Sequence, residues 1–338
     1  MVPALAVAEA LRAEGAAVEF IGGERAEAQL VPAAGFPLHR IAVQGLSRSN
    51  PLRALRALAL AVAAVPRARR LLKEIGPEAV LGGGGYVAGP VGLAALTLRI
   101  PLVLSEADSH LGLTNRMLAR FARRICLAFP IAGREGSRYR VTGRPVAAPQ
   151  HDRVAARASM GVPQDATCVL VFGGSLGARS INLAAVEAFA GAPFHVLHVS
   201  GKRDHDDLAA RGLPADYDLR AYLPLADFTD ALAAADLVVA RSGGSVFEIA
   251  AHGLPAVLVP YPHAAGDHQS ANARWMAEAG AALVIADEEL SGARLGGEVA
   301  ALLADRRRLA AMGVAAAALA RPQAAQEIAD ELLEAARA

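Results

Sequence analysis

The chain has 338 residues, of which 54% are apolar and only 4% aromatic, and its formal net charge is +1. This length suits two domains with sizeable cores rather than one, and so few rings exclude stacking platforms for single-stranded nucleic acid. The longest strongly apolar run, ALALAVAAV at 57–65, falls short of the roughly 20 residues that a bilayer crossing needs. Cys126 and Cys168 have neither disulfide-framework nor metal-ligand spacing, which points to a reducing cytosol.

In chain order, MVPALAVAEALRAEG predicts a helix over 4–13. Leu5, Ala8 and Leu11 line one side, and Glu9, Arg12 and Glu14 the other. No basic leader precedes it, so no signal peptide is expected. Gly15 closes the helix and AAVEFIG reads as a strand. A helix feeding a strand is the second half of a βαβ unit, so a strand and a tight loop are expected ahead of residue 1.

LHRIAV, AVLGGGG, PLVLSE and RICLAF are the further strands of the first half, and VTGRPVAAPQ (141–150) reads as a boundary. CVLVFGG, FHVLHVSG, DLRAYL, DLVVAR, AVLVPYP and AALVI follow, and AAQEIADELLEAARA predicts a terminal helix. Most of these strands are continuous apolar runs, the mark of parallel strands buried on both faces. The expected fold class is therefore α/β, with two doubly wound domains over 1–145 and 146–320. Residues 321–338 form a C-terminal helix expected to pack back towards the first domain.

Charge divides unevenly. Residues 1–149 carry 19 Lys and Arg against 10 Asp and Glu, whereas 150–338 carry 15 against 23. A nucleic acid, a phosphorylated substrate and an acidic membrane surface are the partners that a basic half admits; plain solvated surface is the other reading. Nucleic acid is disfavoured, because the basic residues flank apolar ones and aromatics are scarce.

Ligands in such sheets bind at the carboxyl ends of the strands, and two domains with facing strand ends make a cleft. The glycine-rich loops are thus where chemistry is expected. VLVFGGSLGARSIN (169–182) runs from strand through Gly173, Gly174, Ser175, Leu176 and Gly177 into a helix. It has neither the Walker nor the GxGxxG pattern, but it suits a phosphate-bearing ligand; a tight strand–helix turn is the plainer reading.

DLVVARSGGSVFEIAAHGLPAVLVPYP (236–262) is a stronger signal. Arg241 and the N–H groups of the turn can hold a diphosphate. Glu248, one turn into the next helix, can accept both hydroxyls of a ribose; a carboxylate placed there by the helix dipole is the alternative. In HAAGDHQSANARWM (263–276), with a helix expected from near Asn272, the side chains of Asp267, His268, Gln269 and Asn272 suit sugar hydroxyls. No metal is expected, since their spacing matches no zinc signature. In the first half, LVLSEADSHLGLTNRML (102–118) sets Glu106, Asp108 and His110 at a strand end, either for general-base work or as a solvated cap.

Taken together, GGGGYVAGP, SEADSHLGLTNRMLA, FGGSLGARSIN, ARSGGSVFEIAAHGLPAVLVPYP and DHQSANARWMAEAGAA resemble, in order over nearly the whole chain, the MurG family of peptidoglycan glycosyltransferases. The resemblance implies the GT-B architecture of two Rossmann-like domains. It implies inverting transfer of N-acetylglucosamine from UDP-N-acetylglucosamine to the 4-hydroxyl of undecaprenyl-diphosphate-N-acetylmuramyl-pentapeptide (lipid I) at the cytoplasmic membrane face, with no cofactor. By motif position, Ser175 contacts the donor phosphates and Leu223 meets the uracil through its backbone. Gly244, Ser245, Val246 and Phe247 lie beneath the diphosphate, Glu248 holds the ribose, and Gln269, beside His268, holds the acetylglucosamine. Asp108 falls near the sugar, and Asp108 and Glu106 are the candidates for base or orienter. The 57–73 region corresponds to the family's membrane-facing surface, which implies peripheral binding to anionic lipid, and cell-wall synthesis proteins are implied partners.

Three departures stand out. The loop from Arg241 to Glu248 is one residue shorter than in some relatives, and SEAD replaces the commoner HEQN. TGRPVAA lacks the family's arginine after this turn, for which Arg144 is the nearest substitute. The family also opens with a strand and a GGTxGHxxP loop, of which MVP matches only the last three positions. The strand, the glycines and a histidine favoured for catalysis are therefore expected upstream of residue 1, as from a start codon assigned too late. Another GT-B transferase, a UDP-sugar epimerase of the same architecture, or an inactive nucleotide-sugar-binding remnant are the rival readings.

Overall fold

The structure, a computed structural model, describes residues 1–43, 51–174 and 176–337. The chain divides into two compact units, Met1–Val146 with Arg321–Ala338, and Ala147–Ala320.

The first unit runs α1 (Val2–Ala13), β1 (Phe20–Gly22), α2 (Glu27–Ala33), β2 (Leu38–Arg40), α3 (Pro51–Ile75), β3 (Val80–Gly82), α4 (Gly85–Thr97), β4 (Leu102–Glu106), α5 (Leu113–Leu118), β5 (Arg124–Leu127) and β6 (Tyr139–Val141). β1 and β2 form a parallel pair, and β3, β4, β5 and β6 a parallel sheet in that order. β4 and β5 are buried apolar runs, and Leu102, Leu104, Ile125 and Leu127 pack with Leu71, Leu72, Val91 and Leu118 of the helices. The sequence reading finds five strands here and misses β6. YRV is only three residues long, is centred on Arg140 and sits at the sheet edge, so its burial pattern is not that of a core strand.

The second unit runs α6 (Arg153–Met160), β7 (Cys168–Phe172), α7 (Arg179–Phe189), β8 (His195–Val199), α8 (His205–Ala209), β9 (Tyr217–Arg220), α9 (Leu225–Ala234), β10 (Leu237–Ala240), α10 (Val246–Ala251) and β11 (Ala256–Leu258). After it come α11 (His268–Glu278), β12 (Ala282–Val284), α12 (Gly292–Ala304) and α13 (Arg306–Leu319). Its six strands form one parallel sheet in the order β12-β11-β10-β7-β8-β9. β7, β8, β10 and β11 are buried along their whole length. Their apolar runs are continuous because helices cover both faces. α11 corrects the expected start near Asn272. The helix begins at His268, after a one-turn 3-10 segment over Ala265–Asp267 in which Asp267 takes a left-handed φ of 54°.

The last helix, α14 (Ala324–Ala336), belongs to the first unit. Ile328, Ala329, Leu332 and Ala335 pack against Val7, Val103 and Cys126. Its buried Glu331 accepts hydrogen bonds from Arg124 and, at 2.9 Å, from Arg140. Both cysteines are free and buried, and burial pushes each thiol up to about 12. Among the described residues no helix is long and apolar enough to cross a membrane.

Candidate active site

In the second unit the chain winds from β7 outward through β8 and β9, returns to β10 beside β7, and then winds the other way. The β7/β10 pair, with Ala240 opposite Phe172, is therefore the point where the strand order reverses. At such a point the loops leaving the two strand ends diverge and open a crevice for ligands. Both loops here are the glycine-rich ones.

The first loop leaves β7 at Gly173 and enters α7. It is packed tightly on the end of β8: a methyl group on Gly177, whose φ is +74°, would lie 2.1 Å from the Ser200 carbonyl oxygen. A methyl on Gly201 would lie 2.6 Å from the Gly177 Cα. Only glycines allow this approach. Ala178, at the N-cap of α7, offers no side-chain acceptor, so the N–H groups of the first turn face the loop uncapped by a side chain. Ser175, the residue matched to the donor phosphates, lies outside the described residues.

The second loop leaves β10 at Arg241, and the structure corrects the expectation of a diphosphate-holding arginine. The guanidinium is buried and committed within the protein. It donates to the Val259 and Pro260 carbonyls at 3.1 Å each, to Asp287 Oδ1 at 2.6 Å and to Ser180 Oγ at 2.8 Å. Ser180 sits in the first turn of α7 and also donates to Asp287 at 2.7 Å. Arg241 thus ties the two loops to each other, which positions them.

Asn272, read from sequence as a sugar ligand, is buried. Its Nδ2 donates to the Ser242 carbonyl at 3.0 Å and the Gly243 carbonyl at 3.4 Å, holding the turn. Ser242 Oγ donates to the Gln269 carbonyl at 2.7 Å, and Gln269 Oε1 accepts the Tyr261 N–H at 2.9 Å. Gln269 Nε2 lies 4.0 Å from the position a Cβ on Gly243 would take.

Gly244 and Ser245 are half-buried at the mouth of α10. Val246 and Phe247 point into the core, with the Phe247 ring 5.1 Å from Trp275, so these two offer a ligand only backbone. Glu248 is half-buried in the first turn of α10. His268 opens α11, half-buried, beside Gln269. Leu223 is buried between β9 and α9, with Pro224 at the helix N-cap.

In the first unit, Glu106 ends β4 with its carboxylate committed. Oε1 accepts the Asp108 N–H at 3.2 Å, and Oε2 accepts the Gly112 N–H at 2.8 Å and Asn115 Nδ2 at 2.9 Å. It holds the 107–112 turn, and Asp108 is half-buried on that turn. His110 Nδ1 is buried without a hydrogen-bond partner. Arg144 follows β6 in the same unit, half-buried. Among the described residues no group of three or more His, Cys, Asp or Glu is placed to hold a metal ion.

Sequence reasoning passed over a polar cluster beneath the first loop. His198 of β8 is fully buried, as is Asn182 of α7. Burial lowers the His198 pKa to about 4. Asp204, which accepts from Asn182 Nδ2 at 3.0 Å, is held below the usual carboxylate range chiefly by hydrogen bonds from Arg203, helped by Arg179 and Asn182. The signal was present: an unexplained histidine in the apolar strand HVLHV and an asparagine in an apolar helix face.

The two units match, in order, the Glycosyltransferase family 28 N-terminal domain over residues 1–127 and the Glycosyltransferase family 28 C-terminal domain over 168–328. That is the class which the paired parallel-sheet units and the glycine loops define. The chain is 41% identical, over 98% of its length and 95% of the relative's, to a UDP-N-acetylglucosamine–N-acetylmuramyl-(pentapeptide) pyrophosphoryl-undecaprenol N-acetylglucosamine transferase of Moorella thermoacetica. It is 42% identical to the protein of the same name from Rubrobacter xylanophilus, over 98% and 99% of the two chains. A crystal structure of Acinetobacter baumannii MurG superposes with a TM-score of 0.78 at 32% identity, covering 98% of this chain and 95% of that one. The chain belongs to the MurG family of glycosyltransferases. A calicheamicin glycosyltransferase (20% identity, TM-score 0.69) and a UDP-N-acetylglucosamine 2-epimerase (16%, 0.69) share the fold alone.

Proposed function

We propose that this chain transfers N-acetylglucosamine from UDP-N-acetylglucosamine to the 4-hydroxyl of undecaprenyl-diphosphate-N-acetylmuramyl-pentapeptide, with inversion. The observation that carries the reading is the pair of glycine loops at the β7/β10 reversal, in a chain about 40% identical to transferases named for this reaction. The uncapped first turn of α7 and the Gly244–Ser245 turn supply N–H groups for the donor diphosphate. Glu248 accepts from the ribose hydroxyls, the Leu223 backbone meets the uracil, and Gln269 with His268 orients the acetylglucosamine. The Ser175 hydroxyl is assigned to the phosphates from its motif position. Arg241 and Asn272 act one step back, by holding the loops.

The acceptor hydroxyl displaces UDP from the anomeric carbon and gives up its proton as the bond forms. Asp108, near the sugar, is assigned as the base that takes this proton, with Glu106 orienting its turn and Arg144 adding positive charge. No cofactor is required by this displacement. The basic α3 surface sets the protein against the cytoplasmic face of the membrane as a peripheral enzyme, where lipid I and other cell-wall synthesis proteins are its partners.

A coupled assay of UDP release tests the reading. Release from UDP-N-acetylglucosamine that depends on lipid I, yields a lipid-linked disaccharide and fails with UDP-glucose is the expected result. UDP formed with an altered free sugar and no need for acceptor would indicate epimerisation and overturn it.

A further inference from the structure

The hydrogen bonds under the first glycine loop have only one consistent direction. Asn182 Nδ2 faces two acceptors, the Ser200 carbonyl at 2.9 Å and Asp204 Oδ2 at 3.0 Å, so its other end is Oδ1. Asn182 Oδ1 lies 3.1 Å from His198 Nε2, which must therefore carry the proton. In neutral imidazole the remaining nitrogen is then an acceptor, and His198 Nδ1 takes the Tyr217 hydroxyl at 2.8 Å. The chain of donors runs Tyr217 to His198 to Asn182 to Ser200, and the Ser200 carbonyl is the atom on which Gly177 rests.

Without the proton on His198 Nε2, the buried Asn182 Oδ1 loses its donor. A flip cannot restore one, because it would turn the oxygen towards the Ser200 carbonyl and the Asp204 carboxylate, which repel it. The side chain can then satisfy its oxygen only by moving, and the seat of the glycine loop at Ser200 moves with it. His198 is fully buried, so it reaches no ligand itself. We infer that His198, hydrogen-bonded to Tyr217, is a positioning residue for donor binding: through the Asn182 amide it fixes the Ser200 seat of the glycine loop at Gly177. The inference rests on the reading of that loop as the donor-phosphate site.

Calorimetric titration of UDP-N-acetylglucosamine into the wild-type chain, His198→Leu and His198→Gln tests it, alongside thermal melts and steady-state kinetics. Glutamine can donate to Asn182 and accept from Tyr217, whereas leucine can do neither. The expected result is donor affinity weakened about tenfold in His198→Leu and rescued to within about threefold in His198→Gln. The donor KM rises in step while kcat and the acceptor KM stay within about twofold. A folded His198→Leu that binds donor like the wild type overturns the inference, as does a glutamine variant as impaired as the leucine one. If His198→Leu does not fold, Asn182→Ala carries the test. It removes the amide through which His198 reaches the Ser200 carbonyl, and an unchanged donor affinity there overturns the inference too. A wild-type chain that binds no UDP-N-acetylglucosamine at all overturns instead the functional reading beneath it.

Discussion

Glu248 and His198 are assigned two different ways of serving the proposed donor site. Glu248 stands half-buried at the mouth of the second loop, where a carboxylate can reach a ligand. A hydrogen bond to a charged group contributes roughly 1.5–3 kcal/mol, so Glu248→Gln should raise the donor KM about tenfold or more. A donor lacking the ribose 2′-hydroxyl should lose affinity with the wild type and far less with the variant; equal losses would remove Glu248 from the ribose. His198 acts through burial. It stays neutral in the folded chain down to about pH 4, whereas an unfolded histidine protonates near 6.5. Between those values the unfolded state binds more protons, so stability is present above pH 6.5 and is lost as pH falls towards 4, by about 3 kcal/mol from this residue. Tyr217, Asn182 and, beyond the amide, Asp204 are the groups facing it. Wild type and His198→Gln should therefore differ in melting temperature by a gap that moves in favour of the glutamine variant between pH 7.5 and pH 5.

At the scale of elements, the first glycine loop is held by contact and the second by hydrogen bonds. Gly177 combines a left-handed φ with a 2.1 Å clash for any Cβ against the Ser200 carbonyl. The conformation alone costs an alanine roughly 1–2 kcal/mol, and the backbone clash adds to it. Gly177→Ala should lower stability by at least about 2 kcal/mol in denaturant titration and abolish measurable donor binding, because the loop must leave its seat. Gly174→Ala is the contrasting case, since nothing lies within 4 Å of its Cβ position. There only the φ penalty of the +92° backbone applies. Equal damage from the two substitutions would show that the packing on β8 is unimportant. The glycine pattern was plain in FGGSLG, but which glycine is pressed against another strand depends on register between β7 and β8, a non-local property.

At the scale of the molecule, charge is the informative quantity. The first 149 residues carry an excess of nine positive charges and the rest an excess of eight negative ones. On α3, Arg67, Arg70 and Lys73 are exposed beside exposed Val62, whereas Arg69 turns inward to donate to Thr97 at 2.7 Å. Each surface cation near an anionic bilayer contributes about 1 kcal/mol. The Arg67→Ala/Arg70→Ala variant should therefore lose about tenfold or more in binding to phosphatidylglycerol vesicles, with donor affinity unaltered. Wild-type binding should weaken with added salt and be faint on purely zwitterionic vesicles. Tight, salt-insensitive binding to both would point away from this electrostatic reading.

The sequence by itself determined the class of fold, the strands that carry it and the two loops that matter. Continuous apolar runs alternating with helical ones are local signals, and eleven strands were legible from them. β6 was not, because a three-residue edge strand centred on Arg140 lacks the apolar run that marks a buried one. The motifs sufficed for the family, since their order along the chain is itself sequence information. What tertiary structure decided was the use of each polar side chain. Arg241 stands in a glycine-rich motif and Asn272 in a polar one, both like ligand-binding residues, yet both are buried and hydrogen-bonded to neighbouring backbone. His198 and Asn182 stand among apolar residues, yet they meet Tyr217 and Ser200 under a glycine loop. Whether a polar group faces a ligand or satisfies a buried partner depends on which strands become neighbours, and strand order is set by the packing of the whole sheet.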